Sequence, residues 1–561
     1  EDKTEIYDVT EFYRMRYTET RIMLLDFKRS ATKVFDPSQT VVSDAGLLLG
    51  IRDKNVTYAV NGDGKIAVFE QDGDLWSYAP SSGKITRIFS FRKDEENDSR
   101  YVRNEHDIKI IRVADNGDVD FVLYGYMNRG VHEGYSGVCV YHYNSDRNVV
   151  EEKVFIPSTE SYEFLKEDLG TLTYVNKNNQ LFLLFAQKLY QVDIETGTSE
   201  VLEEGIKQNH FVVSDTKAHA AWLITSGDDQ GKIREIEFDS LKTRDLSPEN
   251  GQKLRVLGFM NEDLVYGILS DADILTDANG HETEGLSTFR IESFKGKVKK
   301  EYHQDGLYIT NVTVGSTMME FELSAKSGNA YAVQKKDNIM NNKIASGSQV
   351  DVALITTNRA GTMIRLTMNQ KPETDNPLLV YSKIESTEDS PVTLDTTVPQ
   401  GELYYVYAYG TLDRIYTDPA AAVKRADDQT GVVLNRAQQY VWERGNKKTK
   451  MQLNIEDVPE IIRTANWKKK ELQDGLGDAG TVIDLTGCSL DSVLYEVSAQ
   501  RPVIAKTGEN SSVVIVGYDE YNTYLYDPST GQTAPYGLND STALFESAGN
   551  VFLTYIENIT E

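Results

Sequence analysis

Thiols and imidazoles are the side chains from which nucleophilic or metal chemistry is most readily built, and this chain is sparing with both. It has two cysteines, Cys139 and Cys488, and seven histidines: His106, His132, His142, His210, His219, His281 and His303. A cysteine acts as a nucleophile near neutral pH when a base takes its proton, and histidine is the side chain that titrates there without a large shift. No histidine follows His303, so Cys488 has no imidazole in its own part of the chain. It directly precedes an amphipathic helical pattern and is expected as a half-buried thiol at the start of that helix. The two cysteines fall in what are expected to be different domains, so a disulfide between them is not expected.

Metal and cofactor motifs are equally scarce, and neither a metal nor a cofactor is expected. Asp273, Asp277 and Asn279 ahead of Gly280 have the look of a calcium loop, but the EF-hand pattern would place Leu275 at its first ligand position and Leu286 at its twelfth. A solvated hairpin tip is the plainer reading. His281 with Glu282 and Glu284 lacks the spacing of a zinc site. There is no G-x-S-x-G elbow, no phosphate-binding G-x-x-x-x-G-K-[ST] and no H-E-x-x-H pair. A carboxylate pair assembled across strands leaves no linear motif, so glycoside chemistry stays open.

The elements around Cys488 carry more information. Ser489 caps a helix whose apolar positions Leu490, Val493, Leu494 and Val497 recur at helical spacing. Short strands follow at Pro502–Ala505, Val513–Gly517 and Thr523–Tyr526, separated by turn residues. Helix, then PVIA, then VVIVGYD, then LYDP resembles the second half of a papain-fold cysteine peptidase of the family-39, bacteriocin-leader-processing type. In that family the VVIVGYD-like strand opens with the catalytic His, and the DP strand carries the Asp or Asn that orients it. Ser511 stands in this chain where the resemblance implies the His, and Asp527 stands at the third position. The family's Cys opens its first long helix, where the helix dipole lowers the thiol pKa. The corresponding helix is expected over Val433–Arg444, with Asn435 to Gln438 near the nucleophile's place and no Cys. The resemblance thus implies the fold, while the missing Cys and His argue against the activity. Further helices are expected from Pro419 to Ala426 and near 456–465, with Tyr440, Trp442 and Trp467 in the core of a helix-on-sheet domain.

With 561 residues the chain holds two or more domains with ample core. Apolar content of 40% and charged content of 26% are those of a globular protein, which excludes wholesale disorder. Thirty-two Tyr and forty Gly favour strands and turns. A formal net charge of −28 repels phosphate backbones and anionic lipid, so neither nucleic acid nor a bilayer is an expected partner. No apolar run is long enough to span a membrane, and the chain opens on Glu1 without a Met, as though an export segment had been removed.

One unit recurs from about residue 20 to 303: an aromatic or aliphatic strand, a polar turn and a second strand, starting near Arg21, Asp74, Val138, Lys188, Lys232 and Ser287. The last five copies are each preceded by two more strand-like runs. Four antiparallel strands at such a period form propeller blades. The first copy lacks its preceding strands, and Tyr308–Gly315 with Met319–Ser324 are expected to supply them, closing six blades. Seven is the alternative if Val350–Met368 forms a further half-blade. Two long connections, Asn128–Gly137 and Asp271–Gly285, mark where a ligand would bind.

The fold class expected is therefore mainly β: a β-propeller over 1–344, a β-rich connector over 345–417, and an α+β papain-like domain over 418–561. The expected function is non-catalytic recognition of a peptide, glycan or protein by an exported or cell-surface bacterial protein. An enzyme whose site lies on the propeller is the alternative, and an active cysteine peptidase using Cys488 is a third.

Overall fold

The computed structural model describes residues 6–558 apart from 19, 40, 51–55, 93–103, 208–209, 277–281, 316–317, 329, 342–349, 358–360, 369, 386–391, 393, 395–401 and 509. Its N-terminal part is a β-propeller. The first blade comprises Tyr58–Val60, Ala67–Gln71, Asp74–Ala79 and Lys84–Phe89, the second His106–Val113, Val119–Tyr126, Ser136–Asn144 and Val149–Ser158. The third runs from Thr173 to Glu203 and the fourth from Phe211 to Leu246, each as a four-stranded antiparallel meander. The fifth joins Gln252–Met260, Asp263–Ser270, Thr288–Glu292 and Val298–His303, with the hairpin Ile274–Thr276 and Glu282–Glu284 inserted before its third strand. In all five, the recurring strand–turn–strand unit forms the last two strands.

Closure differs from the expectation built on Tyr308–Gly315 and Met319–Ser324. Those residues lie in Tyr308–Val314 and Met318–Ser327, which pair with Ala330–Met340 to make a sixth, three-stranded sheet. The seventh sheet combines both ends of the domain: Val42–Ser43 and Gly46–Leu48 from the start of the chain, and Val350–Thr357 with Gly361–Met368. Seven sheets are therefore described, and Val350–Met368 is the further half-blade. The copy near Arg21 is no blade element. Ile22–Lys33 pairs with Tyr7–Tyr17 in a separate hairpin.

Apolar clusters bridge successive sheets, because each sheet has two faces that must be taken out of water. Phe69, Trp76 and Ile85 of the first blade meet Leu47, Ile364 and Leu366 of the seventh. Phe89 of the first meets Phe121 and Tyr141 of the second, with Phe121 and Tyr141 stacked at 5.2 Å. The helix Tyr162–Thr171 joins the second and third blades through Leu165 and Leu169.

Outer strands would be open to pairing with another chain. Two of them are covered by the segment that leaves the seventh sheet. Leu378–Tyr381 adds in parallel to Lys84–Phe89, and Lys383–Glu385 adds in parallel to Val149–Ser158. Val392 and Leu394 then join the cluster between the second and third blades.

The C-terminal part is built on a sheet in the order Gly480–Asp484, Phe552–Glu557, Val503–Gly508, Ser511–Tyr518, Asn522–Asp527, Gln532–Gly537, with Met451–Gln452 against Ser511–Tyr518. The helix Leu490–Ser498 contributes to the cluster that also holds Ile515 and Phe552, whereas Ile462 and Leu472, from the helices Glu460–Arg463 and Lys469–Leu476, cluster with Ile504 and Val514. A second sheet, in the order Thr411–Tyr416, Tyr404–Ala408, Val432–Asn435, Tyr440–Glu443, carries the helix Pro419–Asp428. The helix expected over Val433–Arg444 is thus two strands. Val432, Val433, Tyr440, Val441 and Trp442 are β-branched or aromatic residues that fit a pleated surface. The Asn435 side-chain oxygen accepts from Gln439 N at 2.8 Å and holds the reversal between them.

One buried ion pair anchors this part. Arg501 Nε donates to Glu496 Oε2 at 2.6 Å, and its Nη2 donates to the Val441 carbonyl at 2.9 Å, tying the helix Leu490–Ser498 to the second sheet. Removing one partner of such a pair leaves a charge buried alone, which costs about 3–5 kcal/mol. Arg501→Ala is expected to lose about that much stability in denaturant unfolding, and a loss below about 1 kcal/mol, typical of a surface pair, would contradict the role given to it.

Candidate functional site

Two places could carry function: the positions expected from the peptidase resemblance, and a cavity on the propeller. At the first, the three expected residues are occupied separately. Asn435 is buried and holds its own turn through Gln439. Ser511 is exposed, and its hydroxyl accepts from Thr507 Oγ1 at 3.0 Å. Asp527 accepts from Ser529 N at 2.8 Å and Ser529 Oγ at 2.6 Å, and these bonds hold its carboxyl below the usual range. No hydrogen bond among the described residues joins any two of the three.

Cys488 is 1% exposed, and its thiol lies 3.8 Å from the Ala420 carbonyl. Burial pushes it up to about 12, so at neutral pH it is a thiol and not a thiolate. The first helix of this part is Pro419–Asp428, and its cap is Asp418, whose carboxylate accepts from Ala420 N at 3.1 Å.

The cavity lies where the first and second blades meet. It is about 280 Å³ in volume, and Glu70, Asp72, Gly73, His106, Asp107 and Tyr162 are among the residues that line it. A smaller pocket beside it adds Asp74, Arg92 and Asn128. The turn Gln71-Asp72-Gly73-Asp74 joins the two middle strands of the first blade. Asp72 and Gly73 both have positive φ, +52° and +78°, the conformation that makes an Asp-Gly pair the natural hairpin turn. Its positive φ and the Asn104 side chain packed against it both favour glycine at position 73. The turn is pinned from both sides: Glu70 Oε1 accepts from Gly73 N at 2.7 Å, and His106 Nε2 lies 2.8 Å from the Gly73 carbonyl. With that carbonyl as acceptor, Nε2 carries the proton. His106 is 6% exposed, and its Nδ1 is buried with no hydrogen-bond partner.

Electrostatics make this corner unusual. Burial raises Glu70 and Asp72, and it pushes Asp74 up to about 6 against the opposing pull of Arg92 and Ser90. Burial also lowers His106, which keeps the ring neutral. Asp107 lies 3.4 Å from the half-exposed Lys166 and beside Tyr162, whose hydroxyl is raised by burial first and by Asp107 second. Four carboxyl groups thus share the corner with two cations, Arg92 and Lys166, and the raised Glu70, Asp72 and Asp74 in a concave site are the physical mark of a binding or catalytic centre.

The repeat had placed this turn in a blade, but nothing in its spacing singled out Glu70, Asp72, Asp74, His106 or Asp107 as neighbours. The one signal available was the long connection Asn128–Gly137, which supplies Asn128 to the smaller pocket. The other connection, Asp271–Gly285, is only partly described: Asp277, Asn279, Gly280 and His281 lie outside the described residues. Its Asp273 bonds Ser270 and Lys326. Lys447 pairs with Asp491 and Lys468 with Glu471, so these two basic residues are matched within their own region. No helix among the described residues is long and apolar enough to cross a membrane.

No family model matches the chain, and no curated protein matches it. Among solved structures it is similar to a C39-like peptidase from Bacillus anthracis, at 19% identity over 16% of this chain and 58% of that one, with a TM-score of 0.15. It is similar to Porphyromonas gingivalis dipeptidyl peptidase 4 at 10% identity over 58% of this chain and 60% of that one, TM-score 0.26. An oligogalacturonate lyase in complex with manganese matches at 10% identity over 58% of this chain and 92% of that one, TM-score 0.27. The chain spans less than two thirds of the first two.

The raised Asp74 has a consequence for stability. The folded state holds this proton more tightly than the unfolded chain does, so its stabilising share is complete below about pH 4 and is lost as pH rises through about 6. Over that window wild type should lose about 3 kcal/mol relative to Asp74→Asn. Thermal unfolding of both proteins at pH 4 and pH 7 measures it, and a constant difference between them would contradict the burial of this carboxyl.

Proposed function

We propose that the chain is a non-catalytic recognition protein whose propeller cavity takes a cationic group, most simply the ammonium of a peptide or protein partner, and whose C-terminal part is a peptidase-like domain without peptidase chemistry. The observation that carries the reading is the corner itself, where Glu70, Asp72, Asp74 and Asp107 outnumber Arg92 and Lys166 around a cavity large enough for a side chain or a chain terminus. Ammonium favours the ionised form of every carboxylate it meets, so binding offsets part of what burial costs them. The C-terminal part supports the non-catalytic half: a buried Cys488, a serine at position 511 and no histidine after His303. Action outside a bacterial cell, by an exported or surface-displayed chain, belongs to the same proposal, and proteolytic shaving of intact cells tests it.

A second reading is favoured by one group. Asp74, with its proton held to about pH 6, has the ionisation of a general acid. On that reading the propeller hydrolyses a polysaccharide or peptide, and turnover is lost in Asp74→Asn.

A peptide array with free and acetylated amino groups separates these readings from a peptidase. Free-amine peptides should bind more tightly as pH rises through the acid range, because the raised carboxyls must ionise, and Glu70→Gln with Asp107→Asn should weaken them about tenfold, the scale of one lost charge-assisted contact. Equal binding of acetylated peptides would overturn the ammonium assignment. Peptide cleavage abolished by Cys488→Ala would overturn the non-catalytic one.

A further inference from the structure

The connection that supplies Asn128 to the smaller pocket also carries a histidine toward a buried cysteine and a buried glutamate. We propose that His132, Cys139 and Glu152 form a binding site for a divalent transition metal of the zinc type. Cys139 lies on Ser136–Asn144 and Glu152 on the neighbouring strand Val149–Ser158, while His132 comes from the connection before them. The ligand atoms, one from each residue, lie within 4.8 Å of one another. His132 stacks on Phe155 with ring centroids 3.7 Å apart, which fixes the plane of the imidazole over the site.

The polar inventory of this corner is incomplete as it stands. Glu152 is 6% exposed, His132 Nε2 lies 2.7 Å from its Oε1, and its Oε2 is buried with no hydrogen-bond partner. Cys139 is fully buried within the same first-to-second blade cluster, and Tyr141 lies against both Cys139 and Glu152. A buried carboxylate oxygen without a donor loses its hydration and gains nothing in return. One imidazole N–H satisfies one oxygen. A dication would engage both the carboxylate and the sulfur.

One sulfur, one imidazole nitrogen and one carboxylate match zinc or cobalt(II), whereas calcium and magnesium prefer oxygen alone. Ligand atoms around zinc sit about 3.5 Å apart, so the widest spacing, up to 4.8 Å, has to close by roughly 1 Å while the 2.7 Å contact between His132 and Glu152 opens, motions within reach of a histidine on a connection. On binding, the Cys139 S–H bond breaks, the sulfur–metal bond forms and the proton leaves to water. The His132 ring would take the other neutral tautomer, its proton moving from Nε2 to Nδ1, so that the Nε2 lone pair goes to the metal in place of the hydrogen bond to Glu152. Its side chain is 16% exposed, which leaves a fourth position open toward solvent. The site is absent from any linear motif because its ligands stand 7 and 13 residues apart and meet only through strand pairing.

Cobalt(II) added to the full-length, chelator-treated protein tests this. One equivalent per chain is expected to bind with a thiolate-to-cobalt charge-transfer band in the near ultraviolet. Cys139→Ser should abolish the band, Cys488→Ser should leave it unchanged, and His132→Gln should weaken binding by about tenfold or more. Should Cys139→Ser fail to fold, His132→Gln carries the same test, because it removes a ligand from a connection without touching the strands. Absence of cobalt uptake would overturn the proposal. So would bound cobalt without the thiolate band, which marks surface carboxylates only, or a band that survives in Cys139→Ser.

Discussion

Taking carboxyl groups out of water at a joint between two sheets is the constraint on which the functional reading rests. A propeller blade buries both faces against its neighbours, so charged groups at a joint between two blades lose access to solvent. At the junction of the first two blades an Asp-Gly turn, a histidine on the next blade's first strand and an acid beside it are all brought to one corner. The backbone reaches this arrangement through two successive residues of positive φ, Asp72 and Gly73. The side chains respond by holding protons above their ordinary range.

The same joint shows why the surrounding fold must be stiff. Phe89, Phe121 and Tyr141 pack as one aromatic group beneath the turn, and close-packed interiors transmit small displacements. On the outside, the parallel additions of Leu378–Tyr381 and Lys383–Glu385 cover the outer strands of these two blades. The N-terminal hairpin reaches the other way. Phe12 meets Tyr409 edge-on, Lys28 sits over the same ring, and Arg14 donates to the Thr430 carbonyl at 2.7 Å. With Phe164 against Tyr405, these contacts tie the propeller to the C-terminal part.

Much of the fold was legible because strand–turn–strand units repeat with the same polarity pattern, and the five blades from Tyr58 to His303 followed from it. Closure was not legible. The strands Val42–Ser43 and Gly46–Leu48 are too short to show alternation, and the strand Gly361–Met368 that Gly46–Leu48 joins lies some three hundred residues away. In the C-terminal part the helix Leu490–Ser498 and the strands after it stood out by spacing and by turn residues. Val433–Arg444 misled because Val-Leu and Tyr-Val-Trp pairs fit a helix face as well as a strand, and only the pairing with Tyr404–Ala408 separates the two. The cavity was invisible for a different reason. Its carboxylates come from a turn and from a strand start in the next blade, so their proximity exists only in three dimensions.

The measurement that bears most directly on the account is a crystal structure of the chain soaked with a small free-amine peptide at neutral pH. The ammonium nitrogen is expected within hydrogen-bond distance of the Glu70, Asp72 or Asp107 carboxylates, beside the Asp72-Gly73 turn. A peptide bound elsewhere, with this cavity holding only solvent, would contradict it.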